Sequence, residues 1–474
     1  MEKTALINGL AELVGKEQVI TDEEAIRTAS KDYIGYRRYE RDDGKFFVPK
    51  AACVVNINST EDASKVIKFL NENRVDVVPR TGGSSVTRGL EPQEGGVILD
   101  GRNMNKILEI NETNMFVTVQ AGTPLEYLEK VLNEKGLTCG HFPQSFPMAS
   151  MGGLLATRSI GQFSTLYGGI EDLVVGLEAV IPDGSVIRIK NVPRRSAGPD
   201  LRHMFIGSEG SLGFITEATV KVFKYQPENR WMAAYAVKDT HEGLAFLRDI
   251  MVEGYKPAVV RLHDAEEVEK VLKIEHPLLK GKGLIMLLAE GPKEITKATG
   301  KGIKKLAKKY DLTYLTAKPV KIWLERRNEV CAEMDEPVFY NMGAIVDTCE
   351  ISANWDVIGD IYDVVTKRIR NEVKDCAISG GHSSHSYLNG TNMYFEFGFM
   401  EDDGNKAEED YMNVVSIIME ETLKRGGSIA HHHGSGKYRT PWMDQEHGSS
   451  YQLMYKLKEA LDPNGIFNKG VILK

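Results

Sequence analysis

At 474 residues the chain exceeds the usual size of one hydrophobic core, so two or more domains are expected. Hydrophobic residues at 42% and charged residues at 27% make a globular mix, and a net charge of −8 argues against a general nucleic-acid or anionic-membrane surface. No apolar run approaches the roughly 18–20 residues that span a bilayer, and the polar start MEKTALINGLAELVGKEQ does not read as a signal peptide, so a cytoplasmic protein is expected.

The first 45 or so residues read as a helical segment that ends in a charged stretch, RRYERDDGKFF. AACVVNI is then an apolar strand. STEDASKVIKFLNEN is a helix with a capping box from Ser59 to Asp62 and an apolar stripe at Val66, Phe69 and Leu70. VDVVP is a second strand, completing a strand–helix–strand unit. After RTGGSSVTRGL come the strands GVILD and MFVTVQAG. TPLEYLEKVLNEKG is a helix with Thr123 as N-cap, Pro124 at the first helical position and Gly136 just past its end. A Gly/Ser-rich segment, PMASMGGLLATRSIGQFSTLYGGIEDLV, leads into the hairpin LVVGLEAVIPDGSVIRI, turned at Pro-Asp-Gly. Residues 46–225 thus form an α/β domain with three glycine-rich loops. Residues 226–425 alternate strands (WMAAYAV, GLIMLLAE, YFEFGFM) with helices such as EEVEKVLKIEH and KATGKGIKKLAKKYD, the pattern of an α+β domain on an antiparallel sheet. Residues 426–474 are a C-terminal segment containing SIAHHHGSGK and LDPNGIFNKGVILK.

Cys53, Cys139, Cys331, Cys349 and Cys376 stand singly, with no CxxC pair. That pattern excludes a disulfide framework and a Cys-ligated cluster and fits buried reduced thiols.

The first loop, Pro79-Arg80-Thr81-Gly82-Gly83-Ser84-Ser85, follows a strand. Its two glycines let backbone N–H groups form a concave anion site, and the serines add hydroxyl donors. It is neither a Walker A loop nor a GxGxxG fingerprint. Taken alone, a phosphate role and a plain tight turn are about equally good readings. The second segment packs small residues around Gly152 and Gly153, between Ser150 and Thr157, where a flat ligand or a close helix start both fit. The third, from Gly207 to Thr216, reads as a ligand loop or as a bulge. All three in one domain suit a large, planar, phosphate-bearing cofactor.

The order PRTGGSSVTRGL, SMGGLLATRSIGQFSTLYGGIEDLVVGLEAVIPDG, GPDLRHMFIGSEGSLGFITEATVKV resembles the FAD domain of the vanillyl-alcohol-oxidase (PCMH-type) flavoproteins, and within them the alkyldihydroxyacetonephosphate synthase branch. The resemblance runs from about Pro49 to the end. It implies an α+β fold: a PCMH-type FAD-binding domain of two α/β subdomains, an antiparallel-sheet substrate (cap) domain, and a C-terminal segment returning to the FAD domain. It implies that Pro79 to Ser85 and Thr87 wrap the FAD pyrophosphate. Ser150, Gly152, Gly153, Ala156, Thr157, Gly161, Ser164 and Tyr167 run past the ribityl and isoalloxazine. Glu209, Gly210, Gly213 and Ile215 lie by the adenosine and pyrophosphate. Some members tether FAD through a histidine in the first loop. None stands at residues 82–85, so non-covalent FAD is expected.

Five of eleven histidines lie between 382 and 433, three of them in the triplet His431-His432-His433. A strand at 428–430 would put His431 and His433 on one side and His432 on the other. Three consecutive histidines framed by glycine favour function over solvated loop residues, since imidazole moves protons near neutral pH. The 2-hydroxyacid dehydrogenases of the superfamily hold a metal through a GHxGDGNLH-like stretch and a glutamate before HG. Here GGHSSHSYLNGTNMY keeps His382, Tyr394 falls at the second histidine and His432 at the glutamate, so no metal is expected. The synthase branch implies Tyr394 as acid/base, His431, His432 and His433 around the substrate, and Arg261 near the site. For Tyr394 a core strand aromatic competes, and for Arg261 a salt bridge to Asp264. The arginine that serves substrate phosphate in that branch aligns near Asp335 or Glu336. Arg326 and Arg327, with His382 and Tyr387, are therefore the substrate-binding candidates, against a basic helix face paired with Glu325 and Glu329.

These residues favour an FAD-dependent oxidoreductase acting on a small hydroxy-acid-like substrate, with oxygen, a quinone or an electron-transfer protein as re-oxidant. A redox-neutral synthase exchanging an acyl group for a fatty alcohol is the alternative. A homodimer is a compatible assembly, and nucleic acid is not an expected partner.

Overall fold

The computed structural model describes residues 1–30, 32–34, 51–272, 274, 276–329, 343–401 and 403–474. The charged stretch after Ile34, Cys331 and the acidic positions Asp335 and Glu336 lie outside the described residues.

The N-terminal segment is not one helix. Lys3–Val14 and Glu23–Ala29 are separated by the short strand Val19–Ile20, which pairs antiparallel with Val54 and Val55. The strands Cys53–Asn56, Val97–Asp100 and Val77–Arg80 continue this sheet in parallel. Parallel neighbours need a crossover, and helix Thr60–Glu72 provides it. Ser59 accepts the Asp62 N–H at 3.1 Å, and Ala63, Val66, Ile67 and Leu70 form the buried stripe.

A second sheet of five antiparallel strands has the order Ile107–Asn111, Phe116–Gln120, Phe214–Lys221, Val174–Val180, Val186–Ile189. The last pair is the Pro-Asp-Gly hairpin, with Gly184 at φ +86°. Helix Leu125–Glu134 starts one residue later than expected: Pro124 is extended at the cap, and the Thr123 hydroxyl goes to the Lys106 carbonyl.

The third sheet has seven antiparallel strands, in the order Thr313–Tyr314, Trp231–Val237, Gly283–Ala289, Val259–His263, Ile378–Ser383, Gly390–Met400, Ala344–Asn354. Helices Thr240–Val252, Lys293–Lys309, Ile358–Glu372 and Gly404–Lys424 cover one face. Strand alternation then sorts the side chains. Val260, Leu262, Met393, Phe395 and Phe397 enter the helix-covered core, while Arg261, His263, Tyr394 and Glu396 take the opposite face. Register does the rest. His263 pairs with His382, His382 with Tyr394, and Tyr394 with Glu350, so four adjacent strands contribute one cross-strand row.

EEVEKVLKIEH forms only the short helix Ala265–Lys270, begun by Asp264 accepting the Glu267 N–H at 2.7 Å. The C-terminal segment returns to the first sheet: Val77 N–H donates to the Ile466 carbonyl at 2.8 Å, and Asn468 N–H to the Val77 carbonyl at 2.8 Å.

Candidate active site

The three glycine-rich loops and the polar face of the seven-stranded sheet enclose one cavity of about 780 Å³. The loops are joined to one another. Gly153 N–H donates to Thr81 Oγ1 at 3.1 Å, Glu209 N–H donates to the Ala156 carbonyl at 2.8 Å, and a Cβ on Gly210 would press on Pro79 at 2.9 Å. Gly82 is tighter still: a Cβ there would meet the Met148 carbonyl at 2.5 Å. Among the described residues, the N–H groups of Gly82, Gly83, Ser84 and Ser85 have no acceptor, and buried Arg80 Nε has none.

At the other end the histidine triplet is not a strand. Only Ser428 bridges to Ser352, and the three successive N–H groups of His431, His432 and His433 all donate to Glu350 Oε1, at 3.1, 3.0 and 2.9 Å. A carboxylate gathering three N–H groups coils the chain around itself, which overrides strand alternation. The side-chain directions reverse accordingly. His432 Nε2 and His433 Nε2 both meet Tyr394 Oη, the latter at 3.3 Å, and His431 Nε2 turns to Tyr387 Oη at 2.7 Å. Fully buried Arg439 donates to Glu350 Oε1 at 3.0 Å, and His433 Nδ1 faces Glu350 Oε2 at 2.9 Å. Burial pushes the Glu350 carboxyl up, but Arg439 and then His433 outweigh it and hold it well below the usual range. Burial also raises the Tyr394 phenol, so it is a neutral acid rather than a phenolate.

Beside Tyr394 is a second buried carboxylate. His263 Nδ1 and His382 Nδ1 face opposite oxygens of Glu267, at 3.0 and 2.7 Å. His382 stacks on Tyr394 with ring centroids 4.6 Å apart, and burial lowers its pKa to about 4. Burial, then the adjacent Glu267, keeps a proton on Glu396. Arg261 makes no ion pair to Asp264, whose carboxylate caps Glu267 and accepts from Tyr362 and Gly381. Instead Arg261 Nε donates to His263 Nε2 at 3.1 Å, and its guanidinium lies over Trp323. Arg326 and Arg327 part ways. Arg326 pairs with Glu329 at the surface, as a basic helix face would. Arg327 is half-buried over Phe142 and Phe163 and donates to Gln162 Oε1 at 3.3 Å, and the loss of water around it lowers it to about 10.

The cavity lining takes in Pro79 to Ser85, Ser150, Gly152, Gly153, Ala156, Thr157, Glu209, Gly210, Gly213 and Ile215, with Arg261, Arg326, Arg327, His382, Tyr394, His432 and His433. Six sequence candidates stand outside it. The Thr87 carbonyl anchors Lys437; Gly161 packs on Phe142; Ser164 Oγ holds His385 Nδ1 at 2.8 Å; Tyr167 binds Glu290 at 2.7 Å; His431 and Tyr387 bind one another. Sequence reasoning missed Glu350, His263, Glu267 and Glu396 as members of the site. The i, i+4 spacing of His263 and Glu267 was a readable signal; Glu350 announces itself only through register. Glu209 spends its carboxylate on Ser435 and Gly436, tying the third loop to the triplet.

Residues 51–190 match the description "FAD binding domain", and residues 226–472 match "FAD linked oxidases, C-terminal domain". The chain belongs to the FAD-linked oxidases. It is 47% identical to the FAD-linked oxidoreductase YgcU of Escherichia coli (strain K12), across 100% of this chain and 99% of that one. It is 29% identical to the glycolate oxidase subunit GlcD of Bacillus subtilis (strain 168), over 88% of each chain. A solved alkyldihydroxyacetonephosphate synthase superposes with a TM-score of 0.83 at 24% identity, over 99% of this chain and 86% of the other. The chain is thus an FAD-linked oxidoreductase with a PCMH-type fold. The residues fit the cofactor: the four unspent N–H groups, the orphaned Arg80 Nε and the tightly packed Gly82 suit a pyrophosphate, and the cavity falls in the usual span of cofactor sites. Among the described residues no helix is long and apolar enough to cross a membrane.

Proposed function

We propose that the protein oxidises a small hydroxy acid, with Tyr394 taking the hydroxyl proton and FAD accepting the hydride at N5. One observation carries this reading. Buried Arg261 and half-buried Arg327 line the same cavity as Tyr394, and neither has a carboxylate ion pair among the described residues. A guanidinium kept from water without a counter-ion awaits an anion, and its planar fork matches a carboxylate. Arg261 has one donor committed to His263 and keeps its terminal nitrogens for substrate. Tyr394 holds its proton toward His432 and His433, and Glu350 fixes both rings through their backbone. FAD supplies the two-electron chemistry, and these side chains supply binding, orientation and proton transfer. The glycolate oxidase relative agrees with a hydroxy-acid substrate. With no histidine at 82–85, the flavin is held non-covalently. The electron acceptor is a quinone, an electron-transfer protein or oxygen, and the setting is cytoplasmic.

Anaerobic mixing with a panel of 2-hydroxy acids tests the reading: one of them bleaches the flavin band at about 450 nm. Tyr394→Phe keeps FAD and slows that bleaching about 10²–10⁴-fold. Arg327→Met weakens substrate binding by about 1.5–3 kcal/mol and spares flavin content.

A second reading is favoured by the apolar part of the lining, where Val271, Leu272, Ile274 and Ile322 share the cavity with Arg327. An anionic head with an alkyl chain fits there, as the synthase alternative needs. Flavin left oxidised by every hydroxy acid, with acyl exchange on an acyl-dihydroxyacetone phosphate, decides for it.

A further inference from the structure

His432 and His433 line the cavity, and His431 leads out of it. Tyr394 Oη meets His432 Nε2. His432 Nδ1 meets His431 Nδ1 at 2.7 Å, and His431 Nε2 meets Tyr387 Oη at 2.7 Å. Tyr394 and His432 line the cavity, whereas His431 and Tyr387 do not. Tyr387 is half-buried, next in sequence to Leu388, which is 69% exposed. Its charged neighbours are Glu171, Asp172 and Arg158, and Arg158 with Glu171 forms an ion pair reaching solvent. The bonded path therefore crosses the cavity wall.

A neutral imidazole has one donor and one acceptor. Burial keeps both rings neutral, lowering His431 to about 4 and His432 well below its ordinary value. Two facing Nδ1 atoms share a single proton, and that condition propagates along the path. With the proton on His432 Nδ1, His432 Nε2 accepts from Tyr394 and His431 Nε2 donates to Tyr387. With it on His431 Nδ1, every bond reverses. The two arrangements differ by one step of each proton.

We propose that Tyr394, His432, His431 and Tyr387 form a proton wire that carries the substrate hydroxyl proton through the cavity wall to solvent. This rests on the hydroxy-acid reading above. As the hydride leaves the substrate carbon with its electron pair, the O–H pair becomes the second carbonyl bond. The freed proton bonds to Tyr394 Oη, and the Tyr394 proton moves to His432 Nε2. The His432 Nδ1 proton moves to His431 Nδ1, the His431 Nε2 proton to Tyr387 Oη, and the Tyr387 proton to solvent. After product leaves and solvent enters the cavity, a proton taken up at Tyr387 drives the reverse sequence, Tyr394 gives its proton to that water, and the water carries it out to solvent, restoring the first arrangement. Ser164 Oγ holds His385 Nδ1, which fixes the ring that packs against both wire histidines at centroid distances of 5.1 and 5.2 Å.

Nitrogen NMR of ¹⁵N-histidine-labelled holoprotein reads the wire without turnover. The expected result is one Nδ1–H ring and one Nε2–H ring at His431 and His432, both neutral at pH 7. Two Nε2–H rings overturn the proposal. So does a stoichiometric metal ion in the purified protein, because His385, His431 and His432 also group as ligands and an ion on both Nδ1 atoms cuts the path. Tyr387→Phe keeps the ring and removes the terminal hydroxyl. It is expected to slow flavin reduction by the bleaching hydroxy acid at least tenfold, leave substrate affinity unchanged and change the solvent deuterium isotope effect. An unchanged rate and isotope effect overturn the wire. A wild type that no hydroxy acid bleaches removes the oxidation reading instead, and the tautomer measurement still decides whether the path is continuous.

Discussion

Two buried glutamates hold the histidines of this site, and they are neutralised by different means. Glu350 lies at one end of the cross-strand row, ion-paired to fully buried Arg439 and capped by three backbone N–H groups. Glu267 lies at the other end, between the ring nitrogens of His263 and His382, with a second carboxyl, Glu396, beside it. Glu350 has a permanent cation in contact, whereas Glu267 faces two imidazole rings and the carboxyl of Glu396. The first centre is therefore a fixed anchor for the triplet, and the second is sensitive to its proton count.

The largest expected effect breaks the anchor. Arg439→Met leaves Glu350 buried without its cation and costs about 3–5 kcal/mol, read by urea unfolding at pH 7. If the loss is under about 1 kcal/mol, the two centres do not differ as argued. A smaller effect comes from Glu267→Gln. The amide keeps the shape but removes the carboxylate charge that the two ring nitrogens face, at about 1–3 kcal/mol by the same measurement.

The smallest effect has a sign that separates the two centres. The folded-state pKa of Glu350 is depressed, so its contribution is present above the unfolded value of about 4.3 and is lost as pH falls. The folded-state pKa of Glu396 is raised, so its contribution is full below about 4.3 and is lost as pH rises toward its folded value. Glu396→Gln is therefore expected to be more stable than wild type at pH 8 and to differ by nothing measurable at pH 4. Urea midpoints of the two proteins at both pH values check this, and a gain at pH 4 alone would contradict it.

Chain-local patterns announced much of the fold and part of the site. The period-two run around Tyr394 marked a strand, Gly82 and Gly83 marked a backbone-lined turn, and the family resemblance of the three loops implied an FAD domain. Local signals failed where a distant residue reshapes the chain. The alternation drawn for His431 to His433 extended a strand at 428–430, and nothing nearby reveals Glu350, some eighty residues upstream, which gathers their N–H groups. Thr123 read as a cap, yet its hydroxyl serves Lys106. Arg326 and Arg327 are adjacent and chemically alike, and only packing sends one to a surface pair and the other under Phe142 and Phe163.

The sequence by itself determined which elements exist and which faces are apolar, because both follow from the periodicity of neighbouring side chains. Tertiary structure alone decided that His263, His382, Tyr394 and Glu350 stand in one row. That row is a matter of strand register across four segments, set by the burial of the opposite face against the helices. No single segment carries that information.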